Sequence, residues 1–100
     1  MLYLTRKHGE AVMIGDTIRL TVEQIRQHGA DVRIVQATPR IDEVTQIALV
    51  PGKEVSIAGG VATMVLKQTS RGQCSLGFAA PRNIPIHRQE IYDKIAMGDT

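Results

Sequence analysis

The sequence predicts an all-β fold closed by a short C-terminal helix, and three observations carry that prediction. Apolar and polar side chains alternate with a period of two through most of the chain. Glycine-bearing turn signals separate the alternating runs, and a helical period takes over only after His87. At 100 residues the chain makes one domain, or two small halves sharing a core. Its 43% hydrophobic content comes mainly from Val, Ile, Leu and Ala, with no Trp, one Phe and two Tyr, so the expected core is β-branched with little aromatic bulk.

Leu2-Tyr3-Leu4-Thr5-Arg6-Lys7 alternates before a basic end and reads as a strand, and His8-Gly9-Glu10 turns the chain. Ala11–Ile14 is a second short strand, with Gly15-Asp16 as its turn. Thr17–Arg26 is a long one, with Ile18, Leu20 and Val22 on one face and Arg19, Thr21 and Glu23 on the other. Gln27-His28-Gly29-Ala30 forms a hairpin loop in which Gly29 supplies a positive φ. Asp31–Gln36 returns with Val32 and Ile34 inward, and Ala37-Thr38-Pro39-Arg40 ends it. Ile41–Val50 is ambiguous, and Pro51-Gly52 breaks the chain. Val55–Ile57 then forms a short strand, Ala58-Gly59-Gly60 a turn, Val61–Gln68 a longer strand, Ser70-Arg71-Gly72 a loop, and Gln73–Phe78 the return. Ile91, Tyr92, Ile95 and Ala96 recur at helical spacing before Gly98, a stop signal. So short a helix is unstable alone and is expected to dock on the sheet.

Twelve basic residues against ten acidic ones permit nucleic acid without arguing for it, so their placement decides. The single Cys74 excludes an internal disulfide and fits a reducing compartment. No apolar run approaches the roughly 20 residues needed to span a bilayer. The N-terminus carries no charged-then-apolar signal segment either, so the expectation is a cytoplasmic protein without membrane contact. No residue cluster has metal-ligand spacing and no nucleotide-binding glycine loop occurs, so no cofactor is expected.

The second half of the pattern repeats the first at an offset of 42–43 positions. Gly9 matches Gly52, Val12 matches Val55, Ile14 matches Ile57 and Gly29 matches Gly72. Ala37, Pro39 and Arg40 match Ala79, Pro81 and Arg82. Two glycine-turned meanders could share any one of these by chance, but an ordered series with a common Ala-x-Pro-Arg indicates duplication. The expected units are residues 1–48 and 49–97 of a single domain. They are unequal: the basic Leu4-Thr5-Arg6-Lys7 aligns with uncharged Ile47-Ala48-Leu49-Val50, and Ile86-His87-Arg88 with uncharged Val44-Thr45-Gln46. Ile41–Val50 therefore has to serve as last strand of one unit and first of the next.

Met1–Glu10, Met13-Ile14-Gly15-Asp16, Ala80-Pro81-Arg82 and Ile86–Tyr92 together resemble the carbon storage regulator family (CsrA/RsmA). The resemblance covers both chain ends closely and the middle through the repeat. It implies two five-strand repeats forming, in one chain, the intertwined β-sandwich or barrel that two family chains build as a dimer: a monomeric pseudo-dimer, with further self-association left open. It also implies an RNA-binding translational regulator that recognises GGA loops near ribosome-binding sites in mRNA leaders, with regulatory small RNAs carrying GGA loops as further partners.

In the family each site combines the first strand of one unit with the last strand of the other. Carried onto this chain, one composite site retains Leu4, Thr5, Arg6, Lys7, Ala80, Pro81, Arg82, Ile84, Ile86, His87 and Arg88, while the symmetry-related site has no cation. An arginine fork matches the acceptors on a guanine edge, and Arg88 is the leading candidate for positioning the RNA. Arg6, Lys7 and Arg82 suit phosphates, although Lys7 reads equally well as part of a solvated face. Leu4, Ile84 and Ile86 can offer apolar surface to bases, yet isoleucine in a strand is more often core. Pro85, lacking an N–H, marks an edge strand, and His87 is expected to support the loop by hydrogen bonding. His8 and His28 read as loop residues and Cys74 as a buried core thiol.

Two other readings stand beside this one. A degenerate paralogue could act as an interaction module for CsrA-family proteins or their antagonists. An enzyme using Cys74 and His87 lacks an oxyanion site and an orienting acid, so none is expected. The RNA reading requires the fold to bring the two chain ends side by side.

Overall fold

The computed structural model describes residues 1–37 and 42–97. Nine strands run in chain order: β1 (Leu2–Lys7), β2 (Ala11–Ile14), β3 (Ile18–Arg26), β4 (Gly29–Ala37), β5 (Asp42–Leu49), β6 (Glu54–Ile57), β7 (Ala62–Ser70), β8 (Gln73–Ala79) and β9 (Ile86–Arg88). One helix, α1 (Gln89–Ala96), follows β9. The all-β prediction holds, and the ambiguous middle segment becomes β5. Thr38-Pro39-Arg40, Ile41 and the Gly98 helix stop lie outside the described residues.

The strands form two antiparallel sheets, ordered β1-β8-β7-β6 and β5-β4-β3-β2-β9. The first strand of the first repeat thus lies in the sheet of the second, along β8. The last strand of the second repeat lies in the sheet of the first, along β2. This exchange of terminal strands is the intertwined arrangement expected. Both sheets turn their apolar faces to one core, which includes Ile14, Leu20, Val22 and Val32 from one and Met64, Leu66, Leu76 and Phe78 from the other.

The duplication is visible in the hydrogen bonds. The Gly9 N–H donates to Val22 O at 2.7 Å and the Gly52 N–H to Leu66 O at 2.9 Å, and a β-bulge follows each acceptor, before Gln24 and before Gln68. Strand pairing also corrects the repeat alignment. Val12 and Val55 are equivalent, as the sequence matches say. Beyond the β2–β3 turn, however, Leu20 corresponds to Met64 and Asp31 to Ser75, one residue further on. Four residues separate β6 from β7 where three separate β2 from β3.

Gly29 therefore corresponds to Gln73 and not to Gly72, and Ala79 corresponds to Val35 and not to Ala37. The two hairpin glycines also serve different ends. Gly72 takes φ 76° beside Arg71 at φ 52°, the geometry of a type I′ loop. Gly29 does not have the positive φ expected of it; a Cβ there would stand 2.9 Å from Leu49 O, so its role is to admit β5.

The middle segment resolves one way only. Over its whole length β5 pairs with β4, from Asp42↔Ala37 to Leu49↔Ala30. Its Ile47 and Leu49 sit opposite Val32 and Ala30 just as Leu4 and Arg6 sit opposite Leu76 and Cys74. β5 is thus the second unit's first strand, and no separate last strand of the first unit occurs among the described residues.

Helix α1 docks beside β2 and β9 as expected, but without apolar burial. None of its residues is buried, and Ile91 and Ile95 are exposed. Polar ties at its first turns hold it in place of apolar docking.

Candidate RNA-binding site

The alternation of β1 gives its residues two different fates. Leu4 and Arg6 point inward and are 8% and 4% exposed, while Tyr3, Thr5 and Lys7 face solvent. Leu4 belongs to the core. Arg6 is the one buried charged residue among those described, and all three guanidinium nitrogens donate. Nε donates to Thr5 O at 2.9 Å and Nη1 to Ala11 O at 3.2 Å. Nη1 and Nη2 donate to the Glu90 carboxylate at 3.0 and 3.1 Å. The Arg6–Glu90 pair is bidentate and joins residues at opposite ends of the chain.

The segment entering β9 is built by local bonds. Ile84 N–H donates to Pro81 O at 3.0 Å, closing a turn that leaves Arg82 exposed, and Gly15 N–H donates to Pro85 O at 2.8 Å. Pro85 thus serves through its carbonyl, and β9 lies at a sheet edge, as the missing N–H requires. Pairing of β9 with β2 sets Ile86 opposite Ile14, His87 opposite Met13 and Arg88 opposite Val12. Ile86 and Arg88 therefore share the face of Val12 and Leu20, which looks toward the other sheet and the β1 edge. His87 lies on the opposite face, in register with Met13 and Arg19. α1 begins immediately after Arg88, and Tyr92 Oη donates to Asp16 Oδ1 at 3.2 Å, fixing it to the β2–β3 turn.

β1 and β9 do not pair with each other. Each is the edge of its own sheet, so each presents free backbone N–H and C=O groups at the seam where the sheets meet. A groove of about 360 Å³ opens at this seam, lined by Leu2, Phe78, Ala80, Pro81, Arg82, Ile84 and Ile86 among others. Seven of the sequence-selected residues thus come together around it or beside it: Ala80, Pro81, Arg82, Ile84, Ile86, Arg88 and, through Glu90, Arg6. Thr5 and Lys7 are exposed on the outer face of β1, and His87 flanks the site from the far side of β9. The requirement that the chain ends lie side by side is met.

Electrostatics bind this arrangement. Hydrogen bonding from Arg6 holds the Glu90 carboxyl down at about 2, from an ordinary 4.5, and the same bond raises the Arg6 guanidinium despite its burial. A depressed carboxyl contributes stability that is complete above its ordinary value and disappears as pH falls through the folded one. Glu90 is 54% exposed, so solvent limits the effect. The tie between β1 and α1 should therefore loosen between pH 4.5 and about 2. That loosening is measurable from the Arg6 Nε–H and Gln89–Ala96 amide resonances, and Glu90→Gln should abolish the transition. Cys74, opposite Arg6 in β8, is pushed up to about 11 by burial, which keeps it a protonated core thiol at neutral pH.

Glu90, Asp16 and Tyr92 shape the site, yet the sequence assigns none of them a role there. The expected phosphate ligand Arg6 instead gives its donors to Glu90 and to backbone carbonyls. One signal for this was present: in Leu2-Tyr3-Leu4-Thr5-Arg6, Arg6 falls on the inward side of the alternation. Its partner, 84 positions away, has no local signature.

The symmetry-related location is different. Val44–Gln46 and Ile47–Leu49 are consecutive on β5, so they cannot flank a groove as β9 and β1 do. Leu49, 2% exposed, replaces Arg6.

A family model described as "CsrA: Global regulator protein family" matches the chain twice, over residues 1–45 and 50–97. No solved structure matches it.

Proposed function

The chain belongs to the CsrA family of RNA-binding post-transcriptional regulators, and on that premise we propose that it binds GGA-containing loops through one composite site. The observation that carries this reading is the seam between β1 and β9, where two strand edges, an apolar groove and Arg88 converge. Unpaired bases in a loop expose their edges, and free backbone groups plus an arginine fork can read them. Arg88 positions the guanine edge, Arg82 and Lys7 contact phosphate, and Thr5 offers a hydroxyl from β1. Ile84 and Ile86 floor the groove, His87 supports β9 from outside, and Leu4 backs the strand. Arg6 is a positioning residue, acting through Glu90 to hold β9 and α1 against β1. Binding near a ribosome-binding site would control translation of the message.

Titration of a GGA hairpin RNA into the protein, with molar mass measured before and after, tests the count. One RNA per chain is expected, with binding weakened by salt and unaffected by Gln46→Ala. Two equivalent RNAs per chain would overturn the single-site reading.

A further inference from the structure

The intact half of the molecule shows what its partner half lacks. Strand β6 is the equivalent of β2, yet among the described residues it pairs only with β7, whereas β2 pairs with both β3 and β9. A groove of about 260 Å³ lies beside it, lined by Ile34, Gln36, Thr45, Ser56, Ile57 and Ala58 among others. Strand pairing makes three of these walls the equivalents of Phe78, Ala80 and Leu2, which line the groove at the β1–β9 seam. In that first groove Ile84 and Ile86 stand against the β2 edge. In the second, the β6 edge itself is the wall.

The backbone at this edge is already shaped for an added strand. Gly15 holds φ 63° and donates its N–H to Pro85 O. Ala58 stands at the equivalent position with φ 52°, a left-handed conformation that costs a non-glycine residue about 1 kcal/mol. The β4–β5 pairing runs from Ala37↔Asp42 and leaves β5 wholly committed to β4, so among the described residues the first unit has no strand of its own for the place. Carboxylates stand at this edge: Glu43 lines the groove and Glu54 begins β6.

We propose that the β6 edge and its groove form a docking site for an extended, basic segment of a partner protein, taken up by β-strand addition. Such a segment carries two branched apolar residues two positions apart, followed by a cation, as Ile84-Pro85-Ile86-His87-Arg88 does on β2. Backbone bonds to β6 supply affinity, and the paired apolar side chains enter the groove, where Glu43 favours a basic segment. The inference rests on the duplicated fold and is independent of RNA binding.

The test uses the full chain and a labelled peptide with the sequence of residues 80–92. Saturable binding of one peptide per chain is expected, with amide shifts at Glu54–Gly60 and Thr45. Thr45→Trp, which fills the groove from an exposed strand position, should weaken binding by about tenfold or more. Gln46→Trp, on the other face of β5, should leave it unchanged. A scrambled peptide should not bind. The shift map needs no variant, so a misfolded Thr45→Trp does not spoil the test. Failure of the peptide to bind overturns the proposal, as do shifts confined to Val12–Gly15, which would show displacement of β9. Dilution-dependent β6 resonances in the free protein would assign the edge to a second copy, and β6 shifts on adding GGA RNA would assign it to nucleic acid; either result also overturns it.

Discussion

Arg88→Ala should weaken binding of a GGA hairpin by roughly 10- to 100-fold, the range spanned by loss of one good bidentate base contact. Arg88 is exposed, and β9 holds it on the face directed toward β1, so truncation removes a ligand without removing a support. Stability should stay within about 0.5 kcal/mol of the parent, as is usual for surface substitutions. Arg88→Lys separates charge from shape: lysine keeps the cation but loses the planar fork, so it should restore only part of the affinity. Competition against hairpins carrying a changed guanine gives the decisive measurement. If Arg88→Ala and the parent discriminate equally, Arg88 contacts phosphate only and the base-reading role is lost.

The second large effect concerns Arg6, and the molecule carries its own control. The equivalent strand position holds Leu49, buried to the same degree and in the same register. Arg6→Leu should therefore fold within about 1 kcal/mol of the parent, because the charge it leaves behind, Glu90, is 54% exposed and stays hydrated rather than buried and unpaired. RNA affinity should nevertheless fall, since β9 and α1 lose their tie to β1. Glu90→Ala should be worse for stability, by about 1–3 kcal/mol, because it leaves a buried guanidinium short of its charged acceptor. The nearest remaining carboxylate is Glu10, 3.9 Å away. Denaturant unfolding of both variants checks the ordering. Arg6→Leu proving the less stable of the two would mean that Arg6 is chiefly structural cement for the core.

The strands were legible because the chain obeys period two nearly everywhere, and Val12, Ile14, Leu20 and Val22 could point only inward. The duplication was legible for the same reason, since the same pattern had to be written twice. Register was less so. The one-residue difference between the β2–β3 and β6–β7 turns is invisible in a gapless comparison, and it displaced the apparent match of Gly29 with Gly72. The commitment of β5 to β4 was also hidden, because its residues fit either neighbour. The site was half legible. Cations at both chain ends could be named, but a long-range pair such as Arg6–Glu90 appears only once the ends are folded together.

That geometry has a consequence for how the protein comes into being. β1 finds its partner β8 some seventy positions later, and β2 acquires β9 at a similar separation, so both contacts close very long loops. During synthesis β1 must wait, edge unpaired, until β8 has emerged. The seam needs Leu2–Lys7 and Ile86–Glu90 at once, so a nascent chain has no such seam until β9 is free of the ribosome. Formation of the seam is thus timed by the emergence of β9, and a chain interrupted before β9 lacks it.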